Sequence, residues 1–296
     1  MIELAMKVCG FTFIRNAIKF DYPVKEAILS ILPLCDEIVV AVGNSEDNTL
    51  DLIKNIAPNK IKIVETVWDD SLRVGGRVLA VETDKAFQTI ADNYDWCFYI
   101  QGDEVIHEKY IDTIRASMQK HLHDKRVDGL LFKYLHFYGS YDYVGESYRW
   151  YRNEIRIIRN NKSFYSFRDA QGFRKNNNQI LRVKHVDAFV YHYGWVKDPA
   201  AMQKKQEEFN KLWHDDDWIN KNVRKADEFD YSEIDVLKSF DGTHPEVMHE
   251  RVAKTNWKFD YDLSCNKMKF KDKLKKFFEK FGFNFGQYEN YKVLKH

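Results

Sequence analysis

The polar groups of Gln101-Gly102-Asp103-Glu104 follow directly on an apolar run from Trp96 to Ile100. An apolar run that stops so abruptly is typical of a buried strand. In open α/β sheets, ligands bind at the carboxyl ends of the strands. Carboxylates at that edge suit a hard divalent cation that substrate phosphates also hold. The pattern favours an enzyme acting on a nucleotide-activated substrate, although strands also end in polar residues where nothing binds.

The elements that must position these groups alternate along the first hundred residues. Apolar runs predict strands at 7–14, 38–42, 61–65 and 96–101, and apolar spacing predicts helices at 24–34, 50–56 and about 76–93. Pro23 and the pair Asn48-Thr49 are placed to begin the first two helices. This alternation implies a parallel sheet built from βαβ units. Neither the GxGxxG fingerprint nor the P-loop motif occurs in the sequence.

The composition narrows the class of protein. The chain has 296 residues, 44% hydrophobic and 31% charged, which is enough for one large or two small domains. The net charge of +1 gives no overall field that would attract nucleic acid, so no such partner is expected. Four cysteines without a CxxC pair fit a reducing cytoplasm. The sequence shows neither a signal-peptide pattern nor an apolar run long enough to span a membrane, so we expect a cytoplasmic protein.

Two segments resemble the family 2 glycosyltransferases, which have the GT-A fold. Residues 36–49 read DEIVVAVGNSEDNT, close to the family pattern D-E-I-V-V-V-D-D-G-S-T-D-x-T, and residues 94–104 resemble its aromatic strand ending in D-x-D. The resemblance covers about 5–110 well and continues weakly to about 200. It implies an α/β GT-A fold, a mostly parallel central sheet flanked by helices, with a helical C-terminal extension.

The same resemblance implies the division of the chain and its activity. It divides the chain into a catalytic domain, with donor-nucleotide half 1–104 and acceptor half 105–200, and a helical extension at 201–296. The implied reaction moves a sugar from a nucleotide-diphosphate donor to a hydroxyl, with inversion, and uses a divalent metal, Mn²⁺ or Mg²⁺. We expect a glycan or lipid-linked acceptor and a role in surface polysaccharide synthesis.

The sequence departs from the family at informative positions. Val42 and Gly43 occupy the places of paired aspartates that often contact the base, so the base pocket must differ. Ala17 replaces the glutamate of the first turn. Gln101 replaces the first aspartate of D-x-D and can hydrogen-bond a ribose hydroxyl without adding charge. Because only Asp103 is kept, we expect a weak metal site that fills when the donor phosphates arrive.

The resemblance also nominates residues for binding. The donor-binding candidates are Phe11, Arg15, Asn44, Gln101, Gly102 and Asp103. The metal candidates are Asp103 and His192, since 188–195 resembles a late family strand with a metal-binding histidine, and neutral imidazole is an ordinary Mn²⁺ ligand. The alternatives are a helix-capping role for Asp103 and a core position or phosphate contact for His192. His185 and His244 are expected to be structural.

Asp169 is the predicted catalytic base. Family enzymes that invert use an acid from the second half of the domain, and residues 166–174 are a polar segment joining two strand-like runs. An ion pair with Arg168 is the alternative, and it would lower the pKa and basicity of Asp169. The competing candidates are Asp142, Glu146 and Glu154.

Three further segments admit two interpretations each. The aromatic run 132–151 could stack on sugar rings or pack between sheet and helices. Lys204 and Lys205, on a helix predicted at 197–211, could reach a diphosphate or form a solvated basic face. The tail at 267–285 mixes lysines with Phe and Leu at helical spacing, which suits peripheral contact with the inner membrane face or docking of the Phe face onto the domain.

Two other functions compete with a glycosyltransferase. A nucleotidyltransferase would usually carry a Gly-rich, basic loop after the first strand, where this chain has Thr12-Phe13-Ile14-Arg15. A non-catalytic homologue that binds a glycan or a partner would explain the lost aspartates.

Overall fold

The computed structural model describes residues 5–223, 225–279 and 289–295. The strands are β1 (Val8–Ile14), β2 (Glu37–Gly43), β3 (Ile61–Thr66), β4 (Trp96–Tyr99), β5 (Glu104–Ile106), β6 (Gly129–Tyr138), β7 (Tyr143–Gly145), β8 (Asn153–Arg159), β9 (Phe164–Phe167), β10 (Gly172–Lys175), β11 (Gln179–Trp195), β12 (Leu237–Ser239) and β13 (Tyr291–Val293). The helices are α1 (Val24–Ile31), α2 (Thr49–Lys54), α3 (Arg77–Gln88), α4 (Ile111–Lys120), α5 (Pro199–Asn210), α6 (Asp216–Asn222), α7 (His249–Ala253) and α8 (Phe270–Glu279).

The central sheet has the order β3-β2-β1-β4-β8-β6-β11-β10-β9. Strands β3, β2, β1 and β4 are parallel to one another, as are β6 and β11. Strand β8 runs antiparallel to both of its neighbours, β4 and β6. The predicted α/β class, a central sheet with helices, is confirmed. The sheet is mixed rather than mostly parallel, because four of the eight neighbouring pairs in this order are antiparallel.

Hydrophobic layers cover both faces of the sheet. Side chains of β2 alternate between them, with Ile38 and Val40 in the layer under α1 and Val39 and Ala41 in the layer under α3. All four are fully buried. A strand buried on both faces has an unbroken apolar sequence, and this is the pattern from which the sequence predicts β2.

Three predicted helices are shorter than expected. The first ends at Ile31, and a 3-10 turn containing Pro33 follows it at Leu32–Leu34. The second ends at Lys54. The third ends at Gln88, because the carbonyl groups of Phe87 and Ile90 accept hydrogen bonds from the Lys162 ammonium, at 3.1 and 2.6 Å. These contacts satisfy carbonyls at the helix end that a longer helix would have used.

The segment after residue 200 contains most of α5 and all of α6, α7 and α8, and it also contributes strands. Strand β12 pairs with β7, and β13 pairs in parallel with β11 of the central sheet. None of the helices in the described ranges is long and apolar enough to cross a bilayer.

The strand register collects the polar residues at one edge of the sheet. In β1, Phe11 lies beside Val39 of β2 and Tyr99 of β4, so the residues that follow these three strands emerge together. Strand β5 then turns back along β11 and places Glu104 opposite His192. The parallel partner of His192 in β6 is His136.

Candidate functional site

A cavity of about 570 Å³ lies over the carboxyl edge of the parallel strands. The predicted residues that line it are Arg15, Gln101, Gly102, Asp103, Asp169 and His192. Helix α5 covers one side and contributes Lys205 and Phe209. The structure therefore brings six of the eight candidates to one place.

Phe11 and Asn44 do not line this cavity. Phe11 is fully buried, and its ring packs against those of Tyr99 and Phe87, with centroids 5.2 and 5.4 Å apart. Asn44 holds two residues that do line the cavity. Its carbonyl accepts a hydrogen bond from Arg15 Nε (3.2 Å), and its side-chain oxygen accepts one from the Trp68 N–H (3.1 Å).

Asp103, His192 and Lys205 form a compact polar group in the cavity wall. Oδ2 of Asp103 lies 3.8 Å from Nε2 of His192 and 3.5 Å from Nζ of Lys205. A Cβ atom on Gly194 would lie 2.6 Å from Asp103 Oδ2 and 2.8 Å from the His192 ring. Only glycine therefore permits this approach of the two side chains.

The two neighbouring histidines, His136 and His192, are neutral at pH 7. Burial lowers the pKa of His136 well below its usual value and also lowers that of His192. His136 Nε2 lies 2.8 Å from the Tyr151 carbonyl oxygen, which can only accept, so this nitrogen carries the proton. The bare Nδ1 of His136 then accepts a hydrogen bond from Nδ1 of His192, at 3.1 Å. The hydrogen-bond network thus assigns His192 a lone pair on Nε2, the atom that faces Asp103.

Asp103 is held in its charged form. Burial alone would raise its pKa, but His192 in its protonated form has the largest opposing effect. Together with the positive charges of Lys205 and Lys197, it lowers the pKa below its usual value. Burial lowers the pKa of Lys205, and the Asp103 carboxylate opposes that change.

These residues fit a divalent cation only in part. A carboxylate oxygen and an imidazole lone pair that face each other repel unless a positive charge or a proton donor lies near both, and both are ordinary Mn²⁺ ligands. Within the described ranges, no group of three or more His, Cys, Asp or Glu could complete such a site. The donor set therefore fits a cation whose remaining ligands come from substrate phosphates or water.

Asp169 lies on a strained loop between β9 and β10. The residues on either side of it, Arg168 and Ala170, have φ angles of 58° and 63°, a region that costs a non-glycine residue energy. Gln101 Nε2 donates a hydrogen bond to the Ala170 carbonyl, at 3.2 Å. Arg156 donates one to the Gln171 carbonyl, at 3.0 Å. The loop is thus attached to the strand end that carries Asp103.

Burial raises the pKa of Asp169, and the nearby Arg168 opposes this effect with less strength. The charge of Arg168 therefore does not dominate the pKa of Asp169, as the alternative interpretation would require. Asp169 also lines a second cavity of about 710 Å³, together with Tyr165, Phe167 and Trp213. Asp169 therefore lies at the boundary between the two cavities. The competing candidates Asp142, Glu146 and Glu154 line neither of them.

The sequence analysis missed a buried ion pair that supports both parts of the site. Arg156 donates two hydrogen bonds to the Glu104 carboxylate, at 2.8 and 2.7 Å, and both side chains are fully buried. The Tyr134 hydroxyl donates a third, at 2.8 Å. The sequence feature that could have indicated this pair is an arginine inside the apolar run 155–158. Charged residues are rarely buried without a partner, so this arginine predicts a buried acid nearby.

Two of the open alternatives are decided by side-chain environment. Lys204 is exposed, but Lys205 is 8% exposed and donates a hydrogen bond to the Gly194 carbonyl at 2.8 Å, so the solvated-face interpretation fails for Lys205. Much of the 132–151 aromatic run packs in the core, as when Phe137 stacks on Tyr193. Tyr151 is the member of this run that lines the first cavity.

No protein-family model matches the chain, and no curated protein matches its sequence. Solved structures similar to it include S. aureus TarS, with 14% identity over 75% of this chain and 41% of that chain, and a TM-score of 0.40. Another is 4-diphosphocytidyl-2C-methyl-D-erythritol synthase from Anaerococcus prevotii, with 12% identity over 65% of this chain and 90% of that chain, at 0.37. A third is glucosyl-3-phosphoglycerate synthase from Mycobacterium tuberculosis in complex with Mn²⁺, UDP and phosphoglyceric acid, with 16% identity over 45% of this chain and 44% of that chain, at 0.30.

The chain spans less than half the length of TarS and of the glucosyl-3-phosphoglycerate synthase. With TM-scores of 0.40 or less, these three likenesses assign neither a family nor an activity to the chain.

Proposed function

We propose that this chain is a GT-A glycosyltransferase of the family 2 type, which moves a sugar from a nucleotide-diphosphate donor to an acceptor hydroxyl. The observation that carries the proposal is the arrangement of Asp103, His192, Lys205 and Asp169 around one cavity at the carboxyl edge of the sheet. It provides ligands for a cation, a positive charge for a diphosphate, and a carboxylate that can accept a proton.

The donor would lie with its diphosphate beside Asp103. When bound, a divalent cation, Mn²⁺ or Mg²⁺, neutralises the leaving diphosphate. Asp103 and His192 would hold that ion together with the donor phosphates. Lys205 would add a second positive charge, and Arg15, which lines the same cavity, would contact the nucleotide end.

The acceptor would enter from the second cavity, where Tyr165, Phe167 and Trp213 provide ring faces. Its hydroxyl oxygen forms a bond to the anomeric carbon while the bond from that carbon to the diphosphate oxygen breaks. Asp169 accepts the hydroxyl proton. Burial raises the pKa of Asp169, and a raised pKa makes the carboxylate a stronger base for this proton. Attack from the face opposite the leaving group inverts the anomeric centre.

We further propose an acceptor at a membrane surface, either a lipid-linked molecule or a growing surface glycan. Helix α8 supports this because Phe270 and Leu274 are 82% and 48% exposed on one stripe, flanked by Lys271 and Lys273. Such a stripe suits the surface of an anionic bilayer. The cytoplasmic location expected from the sequence would place it at the inner face, and residues 280–285 of the predicted tail lie outside the described ranges.

Product analysis tests the proposal. The chain should release a nucleoside diphosphate from its donor slowly when water is the acceptor and faster when the true acceptor is present. A thermal-shift screen of nucleoside diphosphates, with and without Mn²⁺, would identify the nucleotide base, since ligands that bind the folded state raise its stability. Release of pyrophosphate instead would identify a nucleotidyltransferase. Stabilisation by a glycan without turnover of any donor would identify a binding protein.

A further inference from the structure

Lys205 lies beside the Asp103 oxygen that a bound cation would share with His192. Its Nζ lies 3.5 Å from Asp103 Oδ2, the oxygen that also faces His192 Nε2. The side chain is nearly buried and donates its short hydrogen bond, 2.8 Å, to the Gly194 carbonyl. The hydrogen bond to Gly194 is the shorter of these two polar contacts.

Ammonium groups already lie near the Asp103 carboxylate. Nζ of Lys205 is 3.5 Å from its Oδ2, and the charge of Lys197 also acts on it. A divalent cation and an ammonium group next to one carboxylate oxygen repel each other, and burial strengthens that repulsion. A cation that binds Asp103 and His192 before any donor does would therefore displace Lys205 and leave its charge poorly compensated.

A diphosphate removes this conflict because it brings negative charge for both cations. Lys205 lines the cavity, and the flexible stem of lysine lets its ammonium group rotate from Asp103 to a phosphate oxygen. The rings of Tyr22 and Phe209 lie 4.9 and 5.7 Å from Nζ and form an aromatic wall around it. Rotation about the bonds of the lysine stem would carry out this move.

We propose that Lys205 is a resident counter-ion of Asp103 and that the donor diphosphate must withdraw it before a divalent cation can bind. Cation binding is then conditional on the donor, and the free protein does not hold its metal. This inference rests on the proposed function, because it assumes that a diphosphate enters this cavity.

The test measures binding, with Mn²⁺ and inorganic pyrophosphate as probes. Free Mn²⁺ is measured by its paramagnetic resonance signal for the whole protein and for Lys205→Met, each with and without pyrophosphate. In the wild type, pyrophosphate should tighten Mn²⁺ binding on the order of tenfold or more, the usual range of coupling between two ligands. In Lys205→Met, Mn²⁺ alone should bind more tightly than in the wild type, and pyrophosphate should bind more weakly.

Three controls keep the result interpretable. Lys204→Met removes the neighbouring exposed lysine and should leave both affinities unchanged. Lys205→Arg keeps the charge and should retain the coupling if Lys205→Met does not fold. Asp103→Asn should abolish the Mn²⁺ binding that Lys205→Met strengthens, which assigns that ion to this site.

A gain in Mn²⁺ affinity separates this role from a structural one, because a damaged site loses affinity. The inference is overturned if Lys205→Met binds Mn²⁺ alone no better than the wild type, or if wild-type Mn²⁺ affinity ignores pyrophosphate. Failure of the proposed function has a different signature, since no donor would then be turned over while the coupling between Mn²⁺ and pyrophosphate could persist.

Discussion

At the scale of single residues, Asp103 is the residue on which the proposed function depends most. Its Oδ2 lies 3.5 Å from Lys205 Nζ and 3.8 Å from His192 Nε2, so one carboxylate would serve both the ion pair and the proposed cation site. We expect Asp103→Asn to reduce sugar transfer to near the detection limit while the fold persists, because the variant removes the charge that holds the diphosphate-bound cation. Transfer assays with and without EDTA, beside thermal unfolding, check this. Near wild-type transfer by the variant, or unchanged wild-type transfer in EDTA, would refute the cation role.

Asp169 should act only in its deprotonated form. Because burial raises its pKa, the transfer rate should fall as the pH drops through a value above the usual range for aspartate. Asp169→Asn should lower the rate by about 10²–10⁴-fold, the ordinary contribution of a positioned proton acceptor, and remove this acidic limb.

A donor-binding measurement provides the control for Asp169. Nucleoside diphosphate affinity should be unchanged in Asp169→Asn, since the proposed role of this residue is to contact the acceptor. A variant that loses donor affinity but keeps the pH profile would show that Asp169 positions the donor instead.

At the scale of elements, the end of β11 depends on one glycine. A methyl group at position 194 would lie 2.6 Å from Asp103 Oδ2 and 2.8 Å from the His192 ring. Gly194→Ala should therefore separate these two side chains and weaken Mn²⁺ binding in the presence of pyrophosphate on the order of tenfold or more, with a small change in melting temperature. Retained affinity would mean that the two residues do not share a cation.

The elements of residues 1–104 were readily predicted because each has a strong local signal. The runs of β1, β2 and β4 are apolar on both faces, and α1 shows helical spacing. The sequence predicted that α1 and α3 would extend further than they do. Helix α1 ends early because the chain turns at Pro33. At the end of α3, Lys162, which is distant in sequence, donates a hydrogen bond to the Phe87 carbonyl.

The site was predicted only as far as strand ends allow. Strand ends revealed Asp103 and Gln101, whereas the roles of Lys205, His136 and Arg156 depend on contacts between distant segments. Lys205 contacts a residue 102 positions earlier, at 3.5 Å. Sequence spacing within its own helix predicts exposure for Lys204 and Lys205 alike, so only the packing of α5 over the sheet distinguishes them.

At the scale of the whole molecule, buried acids make stability depend on pH. Burial raises the pKa of Glu154 to about 8, so the folded protein binds its proton more tightly than the unfolded chain does. The resulting stabilisation is complete below the unfolded pKa of about 4.3 and is lost as the pH rises through about 8. Glu154→Gln should flatten the decline of the melting temperature over this window and be more stable than the wild type above pH 8.

Glu233→Gln is the matched control, since that carboxylate is exposed. It should leave the pH dependence of the melting temperature unchanged. If Glu154→Gln declines as steeply as the wild type, Glu154 is ionised in the folded protein and another group causes the dependence.

Helix α8 determines how the molecule would meet a membrane. Lys276 pairs with Glu146 at 3.0 Å, and Lys275 lies 5.0 Å from the Tyr148 ring, so these two lysines tie the helix to the protein body. Removing all residues after Cys265 would also delete β13, which pairs with β11 of the central sheet. A truncation would therefore confuse loss of a membrane contact with loss of a strand, and substitutions on the exposed face are the better test.

The double variant Lys271→Gln with Lys273→Gln should bind anionic vesicles less tightly than the wild type. Each lysine near such a surface contributes about 1 kcal/mol, so losing two should weaken adsorption on the order of thirtyfold at low salt. Vesicle flotation with and without phosphatidylserine, at two salt concentrations, measures this, and adsorption of the wild type should weaken as salt rises. Lys120→Gln with Lys125→Gln removes the same charge from an exposed region elsewhere and should retain binding. If the wild type ignores anionic vesicles at low salt, or both double variants lose binding equally, α8 is not a membrane contact and its exposed phenylalanine and leucine need another partner.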